Sequence, residues 1–274
     1  MNFKKILTIQ DISCYGQCSL TVALPVISAC GIETCVLPSA VLSTHTGGFT
    51  GFTFRDLTED IPAIKDHWLK EGISFDAIYT GYLGSTKQID YVDNIFTAYP
   101  NSLKIVDPAM ADNGTLYYGF DMAFVERMKL LCGKADYLIP NVSEACFLTG
   151  SEYRTEYDEA YVMDLLGKLV ALGAKNVILT GISYTPDTTG VVVYEDGVYT
   201  YYRHGKISKG CHGTGDIYAS AFVGALGNGK TSCEAAKIAA DYVLECIKET
   251  QTDTDHWYGA RFEPVLHKLI EMVR

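Results

Sequence analysis

Short apolar runs that end in polar or glycine-rich turns recur along this chain, and helical spacing of apolar residues separates most of them. Ile6-Leu7-Thr8-Ile9-Gln10 is the first run and predicts a buried strand that delivers Asp11 and Ser13 to a loop at its carboxyl end. Ser19 is the expected cap of a helix that runs through Ala29 and stops at Gly31. Thr34-Cys35-Val36-Leu37 predicts a second strand, and the polar stretch from Ser43 to Gly51 that follows is long enough to be a functional loop. A helical pattern from Asp56 to Lys70 leads into a strand that ends at Gly81-Tyr82-Leu83-Gly84, with Ser85 placed to cap the next helix. Leu103 to Val106 and Asp136 to Ile139 predict further strands, the second entering a helix that starts at Ser143. Val177 to Gly181 repeats the pattern. Thr189 to Val193 and Val198 to Tyr202 then flank Glu195-Asp196-Gly197, a two-strand hairpin signal of the Asp-Gly type. Helices to Leu226, from Ser232 to Ile247 and from Phe262 to Val273 close the chain. This alternation predicts an α/β fold with a mostly parallel sheet and ligands at the carboxyl ends of its strands. No linker-like stretch divides residues 1–274, so one domain is expected.

Composition narrows the function. A hydrophobic content of 48% supplies a sizeable core, while a formal charge of -11 and a pI near 5.0 argue against a nucleic-acid surface, which needs clustered Lys and Arg. No apolar run approaches the roughly 18 residues of a membrane helix. The nine cysteines are odd in number, lack C-x-x-C spacing and follow no secretory leader, so reduced thiols in the cytoplasm are expected.

The strongest chemical signal is Gly210-Cys211-His212-Gly213-Thr214-Gly215-Asp216, a glycine-dense turn running into a helix. Backbone N–H groups can converge on an anion there without a Cβ in the way, and Asp216 in the first turn could take a proton from an attacking hydroxyl. Asp107 and Asp112 follow a strand, where they could serve a hydrated Mg²⁺ or its phosphates; the alternative is a solvated loop in which Asp107 caps the turn before Pro108. Glu144 sits in a first helical turn, where it complements the helix dipole. Gly224 to Thr231 matches G-x-x-x-x-G-K-[ST]. That match leaves a helix rather than a strand, and reads as a helix C-cap and turn rather than a P-loop.

The ordered motifs together resemble the pyridoxal kinase family of the ribokinase-like superfamily across almost the whole chain. They are Ile9-Gln10 with Tyr15-Gly16, Ser43-Thr44-His45-Thr46, Gly81 to Ser85, Asp107-Pro108-Ala109-Met110, Pro140-Asn141 with Glu144, and Gly213-Thr214-Gly215-Asp216. The resemblance implies a three-layer α/β/α fold with a mostly parallel central sheet. The implied activity is ATP- and Mg²⁺-dependent phosphorylation of the 5′-hydroxymethyl group of pyridoxal, pyridoxamine or pyridoxine, with a monovalent cation such as K⁺ as a further requirement. It makes Asp216 the general base and the amides of Gly213, Thr214 and Gly215 the anion hole. Asn141, Asp107, Asp112, Thr180 and Thr214 fall on the nucleotide side, with Glu144 and Asp107 at the metal, directly or through water. Asp11, His45, Thr46 and Tyr82 match positions around the substrate ring. A cytoplasmic homodimer is implied as well.

Some positions depart from the family pattern. Asp11 stands where many pyridoxal kinases carry Ser, Asp216 stands where dual-specificity relatives use a Cys base, and Gly181 follows Thr180 where many relatives have a hydroxyl residue. Cys211 and His212 precede the anion hole as in the pyrimidine kinase branch. The competing readings are a hydroxymethylpyrimidine kinase of thiamin synthesis and a non-catalytic B6- or nucleotide-binding protein. A Rossmann oxidoreductase fails, because Asp11 to Gly16 lacks the G-x-G-x-x-G turn.

Overall fold

A computed structural model describes residues 2–207 and 211–274. The strands are β1 (Lys5–Ser13), β2 (Glu33–Leu42), β3 (Phe54–Asp56), β4 (Ala77–Thr80), β5 (Leu103–Val106), β6 (Ala111–Asp112), β7 (Thr115–Leu116), β8 (Tyr137–Leu138), β9 (Asn176–Ile182), β10 (Thr188–Glu195) and β11 (Val198–Gly205). The helices are α1 (Leu20–Ala29), α2 (Asp60–Lys70), α3 (Thr86–Ala98), α4 (Met122–Cys132), α5 (Val142–Thr149), α6 (Glu159–Ala171), α7 (Thr214–Gly227), α8 (Ser232–Thr250) and α9 (Leu266–Val273).

Nine strands form one sheet in the order β11-β10-β9-β8-β5-β4-β1-β2-β3. The run from β9 to β2 is parallel, and antiparallel strands finish both edges. Every residue of β4 is buried, as expected of a central strand covered on both faces. One core cluster holds α1, α7 and α8 against the sheet; the other holds α3, α4, α5 and α6 against its opposite face. The architecture is a three-layer α/β/α arrangement, as the resemblance implied. β6 and β7 form a separate small hairpin that projects after β5.

Several local expectations hold and two need correction. Asp196 and Gly197 turn the β10–β11 hairpin with φ of 50° and 82°, the left-handed pair that an Asp-Gly turn requires. Ser85 caps α3 by accepting the N–H of Gln88. Ser19 holds the N-cap position of α1 but makes no side-chain capping bond, its backbone lying at φ of 55° and ψ of -122°. Asn141, not Ser143, starts α5, since its side chain accepts the N–H of Glu144 while Glu144 reaches back to the Asn141 N–H in a capping box.

The Walker-like match falls as expected on the end of α7 and the turn to α8. A Cβ on Gly224 would lie 2.4 Å from Cys30 Sγ, so that glycine is required for close packing of α1 on α7. Thr231 forms a capping box with Glu234 at the start of α8.

Candidate active site

A cavity of about 390 Å³ opens at the carboxyl ends of the central strands. Its polar end is bounded by Asp107, Asn141, Glu144 and Thr180, and its floor by Gly213, Thr214, Gly215 and Asp216. Ala240, Val243 and Leu244 of α8 form an apolar wall. The size and the mixture of apolar wall with few polar groups suit a ligand of nucleotide dimensions.

The floor follows from local sequence. Gly213 takes the N-cap position of α7 with φ of 78°, a conformation natural to glycine, and no side chain caps the helix. The positive end of α7 is therefore open to an anion. Asp216 lies in its first turn. Burial of its carboxylate pushes its pKa up to about 6, against the lowering effect of the Ser19 backbone N–H, while the charge of Asp11 adds to the rise. Gly210, where the glycine-dense stretch begins, lies outside the described residues.

The acidic wall is tied together through Glu144. Its Oε1 accepts the Met110 N–H at 3.0 Å and its Oε2 the Asn141 N–H at 2.9 Å, while Asn141 Nδ2 donates to the Ala111 carbonyl at 2.8 Å. Burial raises Glu144 to about 7 despite those donors. Asp107 is pushed well above the usual carboxylate range by burial and then by the charges of Glu144 and Asp216, although it accepts the Ala109 N–H at 3.1 Å. Carboxylates that repel one another in a buried site are poised for a cation. Among the described residues no three His, Cys, Asp or Glu side chains are close enough to enclose a metal ion, and the buried carboxylates of Asp107 and Glu144 are the oxygen donors at the cavity of the kind that a hydrated Mg²⁺ accepts. Asp112 stands apart. It is exposed, turns its carboxylate to Asn113, and does not line the cavity.

Asp11, His45, Thr46 and Tyr82 do not line this cavity either. Asp11 is buried and raised by that burial, and the Ser13 hydroxyl donates to it at 3.1 Å. Tyr82 is pushed up to about 12 by burial and by the charge of Asp11, and its ring stacks on Phe120 at 5.4 Å. His45 uses both ring nitrogens inside the protein. Nδ1 accepts the Gly47 N–H at 3.0 Å, so Nε2 carries the proton toward the Tyr258 carbonyl at 2.6 Å, and the imidazole is neutral. Only its ring faces remain for a ligand, and Phe49 and His212 already pack against it at 5.0 and 5.6 Å. Thr46 is exposed beside it.

Sequence patterns missed the contribution of α8, because Ala240, Val243, Leu244 and Ile247 have the spacing of an ordinary core stripe. They also missed Lys206 and His204 on the hairpin side of the cavity. Lys206 is the one Lys or Arg among the described lining residues, and it carried no motif.

Residues 7–260 match the family model described as phosphomethylpyrimidine kinase. A candidate phosphomethylpyrimidine kinase from Bacteroides thetaiotaomicron, crystallised with pyridoxal, is 37% identical; the match covers 98% of this chain and 96% of that one with a TM-score of 0.91. Pyridoxal kinase from Lactobacillus plantarum is 30% identical, with 98% and 97% covered and a TM-score of 0.91. The hydroxymethylpyrimidine/phosphomethylpyrimidine kinase of Bacillus subtilis is 26% identical over 91% of each chain.

Proposed function

The chain is a kinase of the phosphomethylpyrimidine and pyridoxal kinase family, and we propose that it transfers the γ-phosphoryl group of ATP to the 5′-hydroxymethyl group of pyridoxal, pyridoxamine or pyridoxine. One observation carries this reading. Asp216 stands in the first turn of α7, whose start no side chain caps, and it lines a nucleotide-sized cavity. A base and an anion hole sharing one helical turn are what in-line phosphoryl transfer asks of a protein.

In the proposed reaction Asp216 accepts the hydroxyl proton as the alcohol oxygen bonds to the γ-phosphorus. The bond from that phosphorus to the bridging oxygen breaks, and ADP leaves. The amides of Gly213, Thr214 and Gly215 hold the transferring oxygens, with Asn141, Thr180 and Thr214 on the nucleotide. Asp107 and Glu144 would hold Mg²⁺ through its waters, and the ion supplies neutralisation of phosphate charge. Asp112 acts at longer range through its charge. Asp11, Tyr82, Thr46 and the face of His45 bound the acceptor ring. The pyridoxal bound to the Bacteroides relative supports a B6 ring as acceptor. A role in pyridoxal phosphate salvage, a cytoplasmic homodimer comprising one kinase domain per chain, and a K⁺ requirement rest on the resemblance alone.

The second reading, phosphorylation of hydroxymethylpyrimidine, is favoured by the family description and by His212 beside the anion hole. A coupled ADP-release assay across the B6 vitamers and the pyrimidine alcohol, with and without Mg²⁺, separates the two. Faster turnover of the pyrimidine alcohol than of every vitamer would reverse the assignment, and no turnover of any alcohol would favour a binding protein.

A further inference from the structure

Three segments far apart in sequence converge on residues 257–260: the loop after β1 with Tyr15 and Gly16, the loop after β2 with His45 and Phe49, and the turn that carries His212 into α7. The Ala260 N–H donates to the His212 carbonyl at 3.1 Å, one residue before the N-cap of α7. The Tyr258 carbonyl accepts His45 Nε2 at 2.6 Å, and the Tyr258 ring lies 4.8 Å from that of Tyr15. Trp257 packs on Phe49 at 4.8 Å, and a Cβ on Gly48 would lie 3.0 Å from Trp257 Cζ3. A Cβ on Gly259 would lie 2.8 Å from the Gly16 carbonyl oxygen, so backbone rests on backbone there. The loop after β2 also meets the turn directly, since a Cβ on Gly47 would lie 2.8 Å from His212 Nδ1. The far end of the segment is fixed to α8. Buried Thr250 accepts the Arg261 N–H at 2.8 Å, and buried Tyr242 donates to the Phe262 carbonyl at 3.1 Å. Residues 257–260 themselves do not line the cavity.

We infer that residues 257–260 form a clasp that sets the distance between the acceptor loop and the anion-hole turn, with Trp257 and Gly259 as its positioning residues. The inference rests on the kinase reading above. In that reading the amides of one segment hold the phosphoryl group and side chains of another bound the alcohol. Transfer needs the two in line, and a misplacement of about 1 Å can cost on the order of 10²-fold in rate. No side chain caps the start of α7, so the Ala260 bond to the His212 carbonyl is a tether from outside the helix. The same short segment holds His45 and Phe49, and α8 anchors it from behind. The two ends of the clasp are separable by mutation. Trp257→Ala removes the contact with Phe49, whereas Gly259→Ala forces the backbone away from Gly16.

The test uses the full chain with Mg²⁺, ATP and pyridoxal, comparing wild type with Trp257→Ala, Trp257→Phe, Gly259→Ala and the double variant Trp257→Ala/Gly259→Ala. Trp257 is 53% exposed, so its truncation removes the contact with Phe49 without opening the core. Trp257→Ala and Gly259→Ala should each lower kcat/KM for pyridoxal about tenfold, with Kd for a non-hydrolysable ATP analogue within about twofold of wild type. ATP hydrolysis in the absence of an alcohol should fall less than transfer, because water needs no acceptor loop. Trp257→Phe keeps a ring against Phe49 and should restore most of the transfer activity. Since both alanine variants act through one segment, the double variant should lose less than the product of the single losses. Losses that multiply, transfer and hydrolysis falling together, or a lowered Tm with wild-type kcat/KM would each overturn the proposal. A wild-type protein inactive on every alcohol would instead remove the kinase reading. The clasp is then read without substrate, by hydrogen exchange: Trp257→Ala should speed exchange at residues 211–216 as well as at 43–51, and acceleration confined to 43–51 counts against it.

Discussion

Glu144 Oε1 accepts the backbone N–H of Met110 at 3.0 Å, tying the first turn of α5 to the loop that follows β5. With Oε2 on the Asn141 N–H, both oxygens of this buried carboxylate hold backbone in place. Glu144→Gln would turn an amide NH₂ toward one of those donors. The expected loss is about 1–3 kcal/mol of unfolding free energy, the scale of an unsatisfied buried donor, read by urea denaturation. Activity should fall with it, because the same bonds place Asp107 and Asn141 at the cavity.

The pH dependence of stability has a defined sign. Burial raises Glu144 from an ordinary 4.5 to about 7, so the folded protein holds this proton more tightly than the unfolded chain. The resulting stabilisation is complete below about 4.5 and is lost as pH rises through about 7. Asp107 and Asp216 shift in the same direction. Urea midpoints of the ligand-free protein should therefore decline across that window on account of these groups, and adding Mg²⁺ with ATP should flatten the decline. A rise in midpoint across the window that Glu144→Gln abolishes would contradict the assigned direction.

Asp216→Asn should leave nucleotide binding intact and lower kcat by about 10²–10⁴, the range of general-base losses. In the wild type, activity should increase with pH through about 6 as Asp216 ionises. Isothermal titration with a non-hydrolysable ATP analogue and a kcat/KM profile check the two halves.

The loop after β2 is fastened by the His45–Tyr258 hydrogen bond and by Phe49 against Trp257 at 4.8 Å. We expect residues 43–55 to cover the reacting phosphoryl group. His45→Ala should loosen this cover, raising ATP hydrolysis relative to transfer to the alcohol. Hydrogen exchange in the loop should slow on pyridoxal binding to wild type, and unchanged exchange would remove its role as a cover.

Lys230→Ala should leave kcat and both KM values unchanged, since Lys230 lies in the turn between α7 and α8, outside the cavity. Thr231→Ala should lower stability by about 1 kcal/mol through loss of the α8 cap, again with little effect on catalysis. A large KM change for ATP in Lys230→Ala would reinstate a P-loop reading.

The sequence by itself determined the layered α/β fold, because apolar runs in alternation with helical stripes have few other ways to bury their surfaces. It also placed Asp107, Asn141, Thr180 and Asp216 at strand ends and helix starts, where backbone geometry makes ligand sites, and these residues meet in one cavity. Local pattern could not reveal which partners each side chain finds. His45 looked available for a ring, yet both its nitrogens are engaged by Gly47 and Tyr258, the latter more than two hundred residues away in sequence. Asp112 shared a loop with Asp107 but faces solvent, because the β6–β7 turn carries it outward. The apolar wall of α8 was indistinguishable from core, since burial against a ligand and burial against protein select the same residues. Ser19 looked like a helix cap, yet the fold holds its backbone at φ of 55° and its side chain makes no capping bond. Periodicity and motif order are written in nearest neighbours along the chain, whereas hydrogen-bond partners and carboxylate repulsion exist only once distant segments are brought together.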